Sequence, residues 1–313
     1  MQTQLAINNR QAPWCGVGVK GEWTDYRSAL QAAGMDFYVV PQDALTRMTT
    51  VAGPDMVVVP GIQVNVRQDV NKIMGVVSDN YGIVQNEDAF SMLEPFTQAG
   101  GIITNAGYTE QGLMFMVLRL KQTEILGDLY DVDVMCTNSF NGAFPCALIM
   151  VPTRIICQNM YRKLMGSDHV MRFRHCSQVD DRMKMAKHAT GTVLSYMSAF
   201  QMQLESAYHN KLINSEIKNL IELLFPYPKP GGQRELMSRE RVDTMRTEFY
   251  DRYYNAPDNA KFHGSGMGFV NAYMDYLSHR DPTKNMQGSW EQRRLSGLVS
   301  GNDVKASIIK EAM

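Results

Sequence analysis

The chain has 313 residues, 44% of them hydrophobic and 20% charged, with a formal net charge of −1. This is ordinary globular composition, long enough for one large domain or two average ones and for a core that needs no disulfide or metal support. Near-zero net charge excludes a uniformly basic nucleic-acid coat but leaves room for a local basic face.

Cys15, Cys136, Cys146, Cys157 and Cys176 are odd in number, and none forms a C-x-x-C pair. That argues against a disulfide framework or a zinc knuckle and for a reducing compartment. No apolar run approaches the ~18 residues of a membrane span. The N-terminus lacks the charged start and apolar stretch of a signal peptide. The expected location is the cytoplasm. The 23 methionines suit an adaptable core better than a binding surface.

Taken in chain order, Thr24 or Asp25 caps a helix running to about Ala33, with Gly34 as its stop. Phe37 to Val40 and Met56 to Val59 read as short buried strands, each followed by a proline. Met74 to Ser78 and Tyr81 to Gln85 flank Asp79-Asn80 as a hairpin, with Val76 and Val84 buried. Asn86 reads as the cap of a helix whose apolar stripe is Ala89, Phe90, Met92, Leu93 and Phe96, ended by Gly100-Gly101.

Ile102 to Tyr108 and Leu113 to Leu120 are strands joined by the turn 109–112. The second is apolar at nearly every position, which predicts cover on both faces. Asp131 to Thr137 and Phe144 to Ile156 are further strands around a Ser139-Phe140-Asn141-Gly142 turn. Pro152 marks a bulge or an edge in the last of them. From Gln158 the period becomes helical. Residues 178–212 predict one long helix or two abutting ones, and Pro226 to Gly232 a linker. Further helices are expected at 234–254, 267–279 and 302–312. The layout is α+β, with an antiparallel meander in the first half and helices in the second. It divides into 1–175 and a mainly helical 176–313.

Several segments carry a family resemblance. They are Trp14-Cys15-Gly16-Val17-Gly18, Gly75 to Tyr81 with Val84-Gln85-Asn86, Ala106-Gly107, Pro152 to Asn159, and Gly264 to Gly268 with Asn271-Ala272 and Tyr276 to His279. Their order resembles the phage/plasmid-like protein family known as domain of unknown function 932. The resemblance implies a mobile-element context and no defined activity. It also implies His-Asp before the turn glycine, where this chain has Phe140-Asn141. An activity resting on that pair does not carry over.

Little here reads as catalytic. Cys157 lies in the best-marked motif with His169 and His175 downstream, but a small buried core residue is the commoner role for a cysteine. The six histidines show no metal-ligand spacing. Gly264, Gly266 and Gly268 follow no convincing strand, so they read as a tightly packed helix entry rather than a dinucleotide fingerprint. The expectation is a non-enzymatic protein that needs no cofactor.

The stretch from Arg154 to His188 is the strongest feature. Arg154, Arg162, Lys163, Arg172, Arg174, Arg182, Lys184 and Lys187 face only Asp168, Asp180 and Asp181 there. Tyr161 and Phe173 are interleaved with them. Lysine and arginine neutralise phosphates, and aromatic rings stack on unpaired bases. The leading expectation is therefore a single-stranded nucleic-acid-binding protein, a DNA annealing or recombination accessory, with single-stranded DNA as partner and a homo-oligomeric state. The order of elements is similar, at fold level alone, to ring-forming annealing recombinases of the RecT and Erf types. The alternative is a protein-interaction or host-takeover factor docking through Met237, Met245, Met267 and Met274.

Overall fold

The computed structural model describes residues 12–50, 53–156, 159–160, 170–173, 196–228, 239–279 and 289–300, together with Ile308 and Ala312. Strand β1 (Val19–Trp23) precedes helix α1 (Tyr26–Ala32). Asp25 caps α1 by accepting from the Ser28 amide at 2.8 Å, and Gly34, at φ 62°, ends it. Strands β2 (Val39–Thr50), β3 (Gly53–Arg67) and β4 (Lys72–Ser78) follow. Next come helices α2 (Asn86–Phe90) and α3 (Glu94–Gln98), separated by a 3₁₀ turn at Ser91–Leu93. Strands β5 (Ile102–Tyr108), β6 (Met114–Ile125), β7 (Asp128–Asn138), β8 (Cys146–Arg154), β9 (Asn159–Met160) and β10 (Val170–Phe173) complete the strand-rich half. Beyond them, residues 196–209 form α4. Then come α5 (Asn214–Leu224), α6 (Arg239–Tyr254), a 3₁₀ turn at Pro257–Phe262, α7 (Gly266–His279) and α8 (Trp290–Ser300). The fold is α+β, with antiparallel strands first and helices after.

Among the described residues, ten strands form two sheets. The larger runs β1-β5-β6-β7-β8-β10, with β9 also on β8; the smaller is β2-β3-β4. Every pairing is antiparallel. The large sheet is covered on both faces, as the unbroken apolar run in β6 predicts. Met114, Met116 and Leu118 of β6, Val134 and Cys136 of β7 and Leu148 of β8 point into one core, with α1, α2 and residues of α4 to α7. Phe115, Val117, Met135, Ala147 and Ile149 point the other way, onto Trp14 and onto Leu295, Leu298 and Val299 of α8. The first of these cores draws buried residues from both halves of the chain.

Pro152 is paired with Val132 of β7 in unbroken register. On its other side, β9 pairs with Thr153 and Arg154 and β10 with Cys146 to Ile149, so no ladder bond is asked of the proline nitrogen there.

The first hundred residues depart most from the sequence reading. Met56 to Val59 is not a short buried strand but part of the 15-residue β3, and Met56, Val57 and Val58 are exposed. The hairpin expected around Asp79-Asn80 does not form. β4 pairs with β3, Ile62 opposite Ser78 through to Arg67 opposite Lys72, while 81–85 has no strand structure. Val76 is accordingly 62% exposed, although Val84 is buried as expected. Asn86 lies inside α2 rather than capping it, and its amide donates to the Met35 carbonyl at 2.9 Å. The expected helix after it is broken into pieces, with Pro95 in the first turn of α3. Among the later elements, α8 was not foreseen. Most of the segment predicted as helix at 178–212 and most of that at 302–312 lie outside the described residues.

The small sheet is fastened to the large one at the Ser139 to Gly142 turn. Asn65 Nδ2 donates to the Phe140 carbonyl at 2.7 Å, and Tyr81 Oη donates to the Ser139 carbonyl at 2.9 Å. Gly75 lies against the same turn, where a Cβ would come within 2.5 Å of both Asn141 Cα and the Phe140 oxygen. Backbone on both sides leaves nothing that can move cheaply. Gly75→Ala is therefore expected to cost about 1–3 kcal/mol by overpacking, seen as a lower urea midpoint with an unchanged m-value.

Candidate nucleic-acid interface

Three of the ten sequence-predicted interface residues fall on described backbone: Arg154, Arg172 and Phe173. Tyr161, Arg162, Lys163, Arg174, Arg182, Lys184 and Lys187 lie outside the described residues, as do Cys157, His169 and His175.

Arg172 is in β10, the last strand of the large sheet, opposite Ala147, and its side chain is exposed. Phe173 follows it, opposite Cys146. Among the described residues no further strand pairs with β10, and an exposed arginine there can reach a phosphate.

Arg154 is a correction. It is the last residue of β8, and the alternation of that strand turns it toward the helical layer on the same face as Leu148 and Met150. Its side chain is fully buried. Nε donates to Asp128 Oδ2 at 2.8 Å, Nη1 to Asp258 Oδ2 at 2.9 Å and Nη2 to the Asp258 carbonyl at 2.6 Å. Asp128 is also held by Lys261 Nζ at 2.8 Å, and Phe262 lies beneath the guanidinium at 5.5 Å. With its donors spent on two carboxylates inside the protein, Arg154 is structural and cannot serve as a phosphate contact. Phase along β8 was the available signal: a charge on the core-facing phase of a strand reads as buried and paired.

A second buried polar group went unforeseen. Asp131 and Asp133 of β7 lie on the opposite face of the sheet from Arg154, beside Arg119 of β6. Arg119 Nη2 is 3.0 Å from Asp131 Oδ2, while its Nε is 3.5 Å from Asp133 Oδ1. Gln122 Nε2 donates to Asp131 at 3.0 Å. Burial pushes the Asp133 carboxyl up to about 7, with Arg119 pulling it down and Asp131 pushing it up.

The docking surface expected on the C-terminal methionines is also corrected. Met267 and Met274 are fully buried in α7, and Met245 is partly buried against the same core; Met237 lies outside the described residues. Gly266 and Gly268 are packed, not open to a phosphate. A Cβ on the first would meet the Ala312 carbonyl and one on the second would come within 2.4 Å of the Phe262 carbonyl.

The family model described as Domain of unknown function (DUF932) matches residues 73–299. The chain belongs to the DUF932 family. No curated protein and no solved structure matches it. The match takes in β4 to α8, hence the whole large sheet except β1, and leaves β2 and all of β3 before it. Among the described residues of this DUF932 chain, no helix is long and apolar enough to cross a membrane.

Two outcomes follow. Removing Arg154 leaves Asp258 and part of Asp128 as buried charge without a cation. Arg154→Ala should therefore cost about 3–5 kcal/mol, measured by guanidinium unfolding. For Asp133, the folded state keeps a proton that the unfolded chain releases near its ordinary pKa of about 4. Stability should therefore fall as pH rises from about 4 to the folded value of about 7, and level off above it. Asp133→Asn should remove that slope, so the gain in Tm of the variant over wild type should be larger at pH 8 than at pH 5.

Proposed function

We propose that this DUF932 protein binds single-stranded nucleic acid, with single-stranded DNA as the first choice, and acts as an annealing or recombination accessory of a phage or plasmid in the host cytoplasm. The role is binding rather than catalysis, and no cofactor is required. The observation that carries the reading is the surplus of positive charge between Tyr161 and Lys187 in a chain whose net charge is −1. Seven of the eight original cations remain available to it once Arg154 is assigned to the fold. The exposed position of Arg172 on the edge strand β10 supports it. Arginine and lysine would hold the phosphate backbone while Tyr161 and Phe173 stack on bases, a combination tolerant of sequence.

For a single strand, each phosphate that the protein no longer neutralises should flatten the slope of log K against log salt by roughly 0.7. Arg172→Ala with Arg174→Ala should thus flatten it by about 1.4 and weaken binding to all sequences alike. Phe173→Ala should instead cost about 1–3 kcal/mol with the slope nearly unchanged, because stacking releases no counterions. Filter-binding titrations of oligonucleotides at several salt concentrations read both quantities. Absence of salt-dependent binding by wild type, or wild-type behaviour in both variants, rejects the proposal. The rival protein-interaction reading draws on a different feature, the exposed apolar arm formed by β2 and β3.

A further inference from the structure

Half of the exposed large hydrophobic residues among the described residues, ten of twenty, fall between Tyr38 and Val76. That concentration marks the small sheet as the part of the described fold where apolar side chains are most often left exposed. β2 and β3 stay paired out to Thr50 and Gly53, whereas β4 reaches only Ile62. The far part of the arm is therefore two strands wide.

Directly opposed residues share a face, and successive pairs alternate. Leu45 with Val58 and Arg47 with Met56 make one face; Thr46 with Val57 and Met48 with Asp55 make the other. Leu45, Met48, Met56, Val57 and Val58 are all exposed, so both faces are open. Each carries one charge within these pairs, Arg47 on the first and Asp55 on the second. A two-stranded ribbon that buries neither face is marginal in water, and an apolar surface of this kind marks an interaction site.

We infer that the arm is an assembly element whose partner is the arm of a second copy of this chain, the Arg47 face of one arm seated on the Asp55 face of the next. Charge complementarity selects this occupant. Both halves of a matching pair are present on one hairpin, each framed by apolar residues suited to the other. Pairing like faces would set equal charges together, which costs affinity, whereas unlike faces neutralise. Because the two faces differ, the contact is head-to-tail. It leaves an unmatched face at each end until a ring closes or a filament grows.

Sedimentation velocity of the full chain without nucleic acid tests this independently of the nucleic-acid proposal. Wild type should form species larger than a dimer. Arg47→Asp makes both faces negative and Asp55→Arg makes both positive. Each alone should raise the concentration needed for assembly at least ~10-fold, with an unchanged circular dichroism spectrum because both residues are exposed. The double reversal should restore assembly, and so should mixing the two single variants, whose arms are then mutually complementary. A monomeric wild type, a wild type that stops at a dimer, single variants that assemble like wild type, or a double variant no better than the singles would each overturn the inference.

Discussion

The guanidinium of Arg154 holds the two halves of the chain to each other. Its carboxylate partners lie 26 residues before it and 104 after it, so one side chain ties the start of β7 and the end of β8 to the 3₁₀ turn that leads into α7. A buried charge is tolerated only where its partners are fixed, and here two cations, Arg154 and Lys261, are set against two carboxylates, Asp128 and Asp258. The geometry of that group determines where the Pro257–Phe262 turn can sit. Through the contact of Gly268 with the Phe262 carbonyl it also determines the approach of α7 to the sheet.

On the other side of the molecule the body and the arm meet through a junction of a different kind. Phe140 is buried against Phe37, with ring centroids 6.0 Å apart, and its carbonyl takes the Asn65 amide. Asn141 donates to the Gln111 carbonyl and accepts from the Ala143 amide. At the turn where the family resemblance implies a histidine and an aspartate, this chain has an aromatic plug and an amide bracket. Both serve to hold loops together.

How much of this could be read beforehand follows from what local pattern encodes. β5 to β8 were legible because their connections are short and their apolar runs sit between clear turn residues. The two-sided cover of β6 followed from apolar residues on both phases. The arm was not legible. Met56 to Val59 has the uninterrupted apolar character of a strand buried on both faces, and sequence pattern cannot tell a strand buried within its own fold from one that leaves its surface bare. Tyr81 to Gln85 misled for a related reason, its β-rich residues being used to pack 81–84 against the body rather than to pair. The charge run that drew attention to 154–188 mixed one structural arginine with the rest, because counting charges ignores the phase of the strand on which they sit. The spacing of Leu295, Leu298 and Val299 in α8 was readable as helical but is short and set among polar residues.

The order of strands in the large sheet bears on how the chain reaches its native state. From β5 to β8 each strand pairs with the next in sequence, so every pairing in that meander closes a short loop at small entropic cost. The tie from Arg154 to Asp258 closes a far longer one, and it rewards closure only once β7 and β8 already stand side by side to present Asp128 and Arg154 together. Local pairing therefore runs ahead of long-range docking. The meander is the template on which the C-terminal helices condense, and a chain emerging from the ribosome can have its sheet in register before the segment bearing Asp258 has been made.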